Sequence, residues 1–178
     1  NPHVVPYREF QKFKHPPMLK EMLEGGNRIS YGARAITEGG YQSIPKLAFP
    51  GGLILGCSAG LVNVPRIKGN HNAMLSGITA AEIACKAIKE GFQNTELKEY
   101  DKEIKDGKVG SDLKPVKNVK PIWSRFGLLA SLIIGGIDMW IANLSGINIF
   151  GTLKHGKSDA KSTKPAKNFK EIEYPKPD

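Results

Sequence analysis

Cysteine is scarce in this chain: Cys57 and Cys85 are the only two among 178 residues. Two thiols exclude a disulfide-dense scaffold, and also a four-cysteine zinc or iron–sulfur site built from this chain alone. Histidine is equally thin, and His3, His15, His71 and His155 are dispersed, so no metal site is expected. No Ser/His/Asp or Cys/His constellation points to nucleophilic catalysis, and no catalytic side chain is assigned. Internal repeats are absent. The chain opens on Asn1 without a methionine and without a basic-then-apolar leader, which reads as a fragment or a processed product. Basic patches interleaved with aromatics are also lacking, so the formal net charge of +9 does not suggest nucleic acid.

What is present is strongly patterned. From 126 to 150 the only charged residue is Asp138, while 98–125 holds eight basic and five acidic residues and 152–178 holds seven and four. An apolar block between lysine-rich flanks suits a membrane surface with anionic head groups. As one straight helix its 25 residues could cross a hydrocarbon core of roughly 30 Å. An ionised Asp138 at its centre would cost roughly 2.5–3.5 kcal/mol there, and Gly135-Gly136 weakens the helix just before it. The expectation is therefore a block divided at Asp138 into 126–137 and 139–150 that dips into one leaflet, with a spanning helix and a buried core as the alternatives. The candidate membrane residues are Phe126, Leu129, Ile133, Ile134, Ile137, Trp140, Ile141, Ile149 and Phe150.

Four stretches follow from the breakers: 1–47, 48–95, 96–151 and 152–178. In the first, residues 18–24 suit a short helix, and 28–36 alternate as a strand, with Ile29, Tyr31, Ala33 and Ala35 on one side. In the second, Leu53-Ile54-Leu55 reads as a strand running into Gly56-Cys57-Ser58-Ala59-Gly60. A helix then opens at Lys68-Gly69-Asn70-His71-Asn72-Ala73. Its expected apolar face is Met74, Ile78, Ala81, Cys85 and Ile88, with Asn72, Ser76, Thr79, Glu82 and Lys86 opposite. A charged surface helix is expected over 96–104, ending at Gly107 and Gly110. The mixture of elements is α+β. Small residues at a strand–helix turn admit a flat ligand close to the backbone, and a helix start offers free N–H groups to an anion. Alone, GCSAG is equally an ordinary tight turn.

The strand–turn–helix resembles the second flavin-contacting motif of FAD-dependent oxidoreductases, in which a Gly-Asp-Ala-Ala-Gly-like turn precedes a Gly-led helix. Cys57 stands where most of those enzymes carry Asp. The surrounding words resemble one branch, electron-transfer flavoprotein–ubiquinone oxidoreductase: Tyr31-Gly32-Ala33-Arg34-Ala35, Glu38-Gly39-Gly40-Tyr41-Gln42-Ser43-Ile44-Pro45, Phe49-Pro50-Gly51-Gly52 and Asn63-Val64-Pro65-Arg66-Ile67-Lys68-Gly69. So do Asn1-Pro2 and the closing Tyr174-Pro175-Lys176-Pro177-Asp178. The resemblance implies an α/β-like portion of an FAD domain with an interleaved quinone-binding, membrane-associated region. It implies electron flow from reduced electron-transfer flavoprotein, through FAD and a 4Fe-4S cluster, to ubiquinone. The place would be the matrix face of the inner mitochondrial membrane or the cytoplasmic face of a bacterial one. Gly56, Cys57, Ser58, Ala59, Gly60, Gly69, Asn70, His71 and Asn72 would then contact FAD. The family's Gly-x-Gly-x-x-Gly fingerprint and quinone-contacting glycine pair would lie upstream of Asn1, and the cluster cysteines beyond Asp178.

On this reading Cys57 is a small side chain beside the cofactor or, alternatively, a reactive thiol, and the lack of a CxxC favours the first. His71 is a hydrogen-bonded neighbour of the cofactor or a proton donor to it. Cys85 is expected in the core. Arg28, Arg34, Arg66 and Lys68 either touch phosphate or line a solvated face. Two further functions compete: a non-catalytic, truncated membrane-associated fragment, and another FAD-dependent reductase of the same superfamily.

Overall fold

The computed structural model describes residues 4–176, which fall into two compact units, 4–33 with 157–176 and 34–156. Asn1, Pro2, His3, Pro177 and Asp178, which carry part of the sequence readings, lie outside the described residues. In the first unit, α1 (Pro6–Phe13) and α2 (Pro17–Leu23) each begin on proline, whose fixed φ and missing N–H suit a first turn. Tyr174 Oη donates to Glu9 Oε1 at 2.5 Å and ties the C-terminal stretch to α1. α7 (Asp159–Ser162) is a single turn. Residues 28–33 pair with no strand, and Ile29 and Tyr31 are 97% and 92% exposed. The expected strand over 28–36 does not form: alternation supplies a pattern of faces but not a partner edge.

The second unit is helix-rich, with one small antiparallel sheet of β1 (Ala48–Phe49) and β2 (Gly52–Leu53), so the mixture is α+β. The expected strand 53–55 is shorter than read. Beyond Leu53 only the Ile54 N–H continues the pairing, donating to Leu47 O at 2.8 Å. α3 (Asn70–Lys89), α4 (Lys98–Asp106) and α5 (Lys108–Leu113) pack around a core of Ile44, Leu47, Leu61, Tyr100, Ile104 and Leu113. α4 is thus no mere surface helix. Its Tyr100 and Ile104 are fully buried, and its Asp101 carboxylate accepts the Leu47 and Ala48 N–H groups at 2.8 and 2.9 Å. Gly110 does not break the chain but sits buried inside α5.

α3 turns part of its expected outer face inward, while Glu82 and Lys86 stay exposed as expected. Asn72, Ser76, Ala80 and Ala87 are buried, whereas Met74, Ile78, Ala81, Cys85 and Ile88 are exposed. The cause is local. Asn72 and Ser76 are drawn inward because the Gly56–Leu61 backbone needs their hydrogen bonds, and small Ala80 and Ala87 let the helix lie close. Cys85 is therefore not a core residue.

α6 (Val119–Ser145) is bent once, at Gly127, where φ 71° and ψ −173° are a conformation reserved for glycine. Two arms result, 119–126 and 128–145. Ser131 Oγ donates across the bend to Ile122 O at 3.1 Å, and the buried Gly135 faces Ile122 on the same side. The helix runs unbroken through Gly135-Gly136 and Asp138, so the expected division into 126–137 and 139–150 does not occur.

Candidate functional site

The turn at Gly56–Ala59 is a short 3-10 helix closed by Gly60 in the left-handed region, φ 74°. Gly56 is required twice over: its φ is +62°, and a Cβ there would stand 3.3 Å from Ala73 Cβ. Its N–H donates to Ser76 Oγ at 3.1 Å, which locks the turn against α3. Within the turn Gly56, Ala59 and Gly60 are buried, and Cys57 and Ser58 are exposed. A Cβ on Gly69 would press on the Val62 side chain at 3.2 Å, so the chain passes close there too. No side chain caps α3 at Gly69, and the N–H groups of its first turn are left for a ligand or water.

The sequence reading missed the group that organises this end. Asp112, on α5, collects four side chains. Its Oδ2 accepts from Asn63 Nδ2, His71 Nε2 and Asn72 Nδ2, each at 3.0 Å, and its Oδ1 accepts from Arg66 at 3.0 Å. Burial would raise the Asp112 pKa, but the bonds from Asn63, His71 and Asn72, with the charge of His71, outweigh it. The carboxyl is held below its ordinary value. Arg66 is therefore an ion-pair partner within this cluster, where the sequence left phosphate contact and solvation open. No periodicity marks Asp112. The available signal was chemical: Asn63, His71 and Asn72 flank a glycine-bordered turn and together need an acceptor.

One polar atom in this cluster stays unpaired. Asn72 is fully buried and gives its Nδ2 to Leu61 O and Asp112, both at 3.0 Å, yet its Oδ1 has no partner. A buried acceptor without a donor is costly, of the order of 1–3 kcal/mol, unless a bound group supplies the hydrogen. The structure thus brings Gly56, Ala59, Gly60, Gly69, His71 and Asn72 to one end of α3, with Cys57, Ser58 and Asn70 on its solvent side. Among the described residues no cluster of His, Cys, Asp or Glu could hold a metal.

A second feature is the apolar face of α6. The stripe Ser131, Gly135, Asp138 and Ala142 packs inward, and the opposite face is bare. Of the candidate membrane residues, Ile134 is half-buried and the other eight are exposed, Trp140 to 71%. Asp138 does not lie on the bare face. At 1% exposure it turns into the protein, where Asn118 Nδ2 and Asn148 Nδ2 donate to its Oδ2 at 3.1 and 3.0 Å. The Phe150 N–H donates to its Oδ1 at 3.4 Å. A carboxylate surrounded by donors belongs to the protein side of an amphipathic helix.

The family described as ETF-QO, ubiquinone-binding matches residues 1–36. Over all of its length the chain aligns with electron transfer flavoprotein-ubiquinone oxidoreductase, mitochondrial, from several organisms. Identity is 49% over 184 residues with the human protein, 48% over 182 with that of Caenorhabditis elegans, and 47% over 178 with that of Arabidopsis thaliana. The chain covers 29%, 30% and 27% of these relatives. Along its whole length, then, this chain is a relative of the electron transfer flavoprotein-ubiquinone oxidoreductases, spanning about three tenths of their length.

Proposed function

We propose that the chain is the central segment of an oxidoreductase that passes electrons from reduced electron-transfer flavoprotein to ubiquinone at a membrane surface. The observation that carries this reading is near-half identity along the entire chain to proteins of that name. Two features of the α3 end support a flavin at this place: an uncapped helix start, and a Gly56 backbone at positive φ where a side chain would be strained. Bound FAD would supply the electron-transfer chemistry. The residues of this chain bind and orient it. The Gly56–Gly60 turn would let the cofactor approach the backbone, and the first N–H groups of α3 would face negative charge on it. A 4Fe-4S cluster in the full-length polypeptide would take its ligands from outside this chain, whose two cysteines are too few.

The membrane contact is monotopic on this reading. One side of α6 is committed to Ile122, Asn118 and Asn148, so the helix lies on the protein and offers only its other side to lipid. Trp123 and Trp140, both exposed, suit the interfacial depth at which indoles settle. A long-tailed quinone is reached from within the leaflet, which fits such a placement. The relatives are named mitochondrial, which supports a mitochondrial membrane, and the matrix face of its inner membrane is part of the proposal. The test is spectroscopic. The purified full-length polypeptide carries one FAD that reduced electron-transfer flavoprotein bleaches; a polypeptide that binds no flavin defeats the proposal.

A further inference from the structure

We infer that Lys117, Lys120, Arg125 and Lys154 form one site for the anionic head groups of a bilayer, on and beside the short arm of α6. The inference rests on the membrane reading above and adds to it a lipid class and a place. Basic residues lie on both sides of the apolar block in the sequence, and their spacing gives no reason to choose among them. The structure does. Along α4 and α5 every lysine of 98–108 has an acid within four residues, from the set Glu99, Asp101, Glu103, Asp106 and Asp112. From 113 to 156 the only acid is Asp138, and it is buried.

Hydrogen bonds gather the four residues from two separate stretches. Gln42 Nε2 donates to Lys117 O at 2.8 Å and to Leu153 O at 3.0 Å. The Leu153 N–H donates to Asn118 Oδ1 at 2.9 Å, and Arg125 Nη2 donates to Lys154 O at 3.2 Å. The chain at 153–154 is thereby laid beside the short arm. Lys120 Nζ donates to Glu38 O at 2.7 Å, which is a carbonyl and not the carboxylate. Among the described residues none of the four is in an ion pair, whereas Lys46, Arg66, Lys86 and Lys114 each are. Lys120, Arg125 and Lys154 are exposed and Lys117 is half-buried. Their charge is therefore turned outward and not compensated by the protein.

The neighbouring surface decides what that charge meets. Trp123 and Phe126 of the same arm are exposed, and Leu129 and Ile133 follow across the bend. The long arm, 128–145, holds no basic residue, so the charge lies with the short arm. A soluble polyanion would use the lysines and leave the apolar side chains in water. A bilayer uses both, with phosphate at the basic groups and the acyl boundary at Trp123 and Phe126.

The test is co-sedimentation of the full-length polypeptide with vesicles of phosphatidylcholine alone, or of equal parts phosphatidylcholine and phosphatidylglycerol. Lys120→Gln/Arg125→Gln is expected to lose about fivefold in affinity per residue, roughly twenty-five-fold together, on the mixed vesicles only. Lys120→Arg/Arg125→Lys keeps the charge and should bind as wild type does, which separates charge from any disturbance of the bonds to Glu38 and Lys154. Lys98→Gln/Lys102→Gln on α4 removes the same charge elsewhere and should cost little. Equal losses in the α4 pair and the α6 pair, or no loss in the α6 pair, overturn the inference. Wild type that binds both vesicles alike overturns it while leaving the membrane reading intact, and wild type that binds neither overturns that reading as well. Binding abolished by inorganic phosphate, but not by chloride of equal ionic strength, would assign the site to a soluble anion and overturn the lipid.

Discussion

Replacing Asp138 separates two placements of α6 that predict opposite signs. Both carboxylate oxygens accept: Oδ2 from Asn118 and Asn148, Oδ1 from the Phe150 N–H. Asn118 also donates to Gly151 O at 3.0 Å and accepts the Leu153 N–H at 2.9 Å, and Asn148 donates to Pro115 O at 3.1 Å. Asp138 is thus the centre of a knot that holds 148–153 against the long arm of α6. In Asp138→Asn the single oxygen can still serve the two asparagines, but an NH2 then faces the Phe150 N–H. One bond becomes a donor–donor conflict in a buried place, at about 1–3 kcal/mol. Taking about 2 kcal/mol, local opening of 148–153 rises roughly thirtyfold. Hydrogen exchange on peptides from 146–153 of the full-length polypeptide reads that factor directly. In Asp138→Leu every donor loses the carboxylate, and exchange there accelerates further. If Asp138 instead faced lipid, Leu would remove a penalty of about 2.5–3.5 kcal/mol. Vesicle binding would then tighten with exchange unchanged, and that result would refute the inward placement.

Four further outcomes follow from the same geometry. Gly127→Ala has open space around the new methyl but a backbone conformation closed to alanine, so it costs about 1–3 kcal/mol and splays the arms of α6; a melting temperature equal to wild type would contradict it. The depressed Asp112 pKa contributes stability that is present above the unfolded carboxylate value and lost as pH falls through the lower folded value. The acid limb of a denaturation profile should accordingly flatten in Asp112→Asn. The isolated 178-residue chain should not retain FAD through dialysis, because only the flavin-facing turn and helix of the expected site are in it; a stoichiometric flavin band would refute this. On vesicles, protease should reach 98–120 and 154–178 from the same side, and protection of the second stretch alone would establish a spanning helix.

The sequence made some elements plain and concealed others for physical reasons. α3 was legible as a helix from its three- and four-residue spacing, but the choice of inner face was not. Periodicity scores apolar side chains, whereas Asn72 and Ser76 are held inside by the Leu61 carbonyl and the Gly56 N–H. In α6 the conspicuous Gly135-Gly136 pair keeps its helix. The bend falls at Gly127, a lone glycine in an otherwise ordinary run. Asp138 looked like a charge stranded in an apolar block until Asn118 and Asn148, 20 and 10 residues away, came into contact. Asp112 lies 40 and 41 residues from the Asn72 and His71 side chains it binds, and only tertiary structure brings them together. That the turn at 56–60 and the Gly69–Asn72 helix start belong to one site was implied by the resemblance and not by their spacing; in the structure Gly56 is bonded to Ser76 and lies against Ala73 near the start of α3.

The most direct measurement is flavin absorbance of the full-length polypeptide, reduced anaerobically and then mixed with vesicles. The bleached flavin band should return rapidly with vesicles that carry a long-tailed ubiquinone, slowly with quinone-free vesicles, and slowly again when Trp140→Glu weakens contact with the bilayer. A band that stays bleached in the presence of membrane-borne quinone, in protein shown to hold its full complement of FAD, would contradict the account.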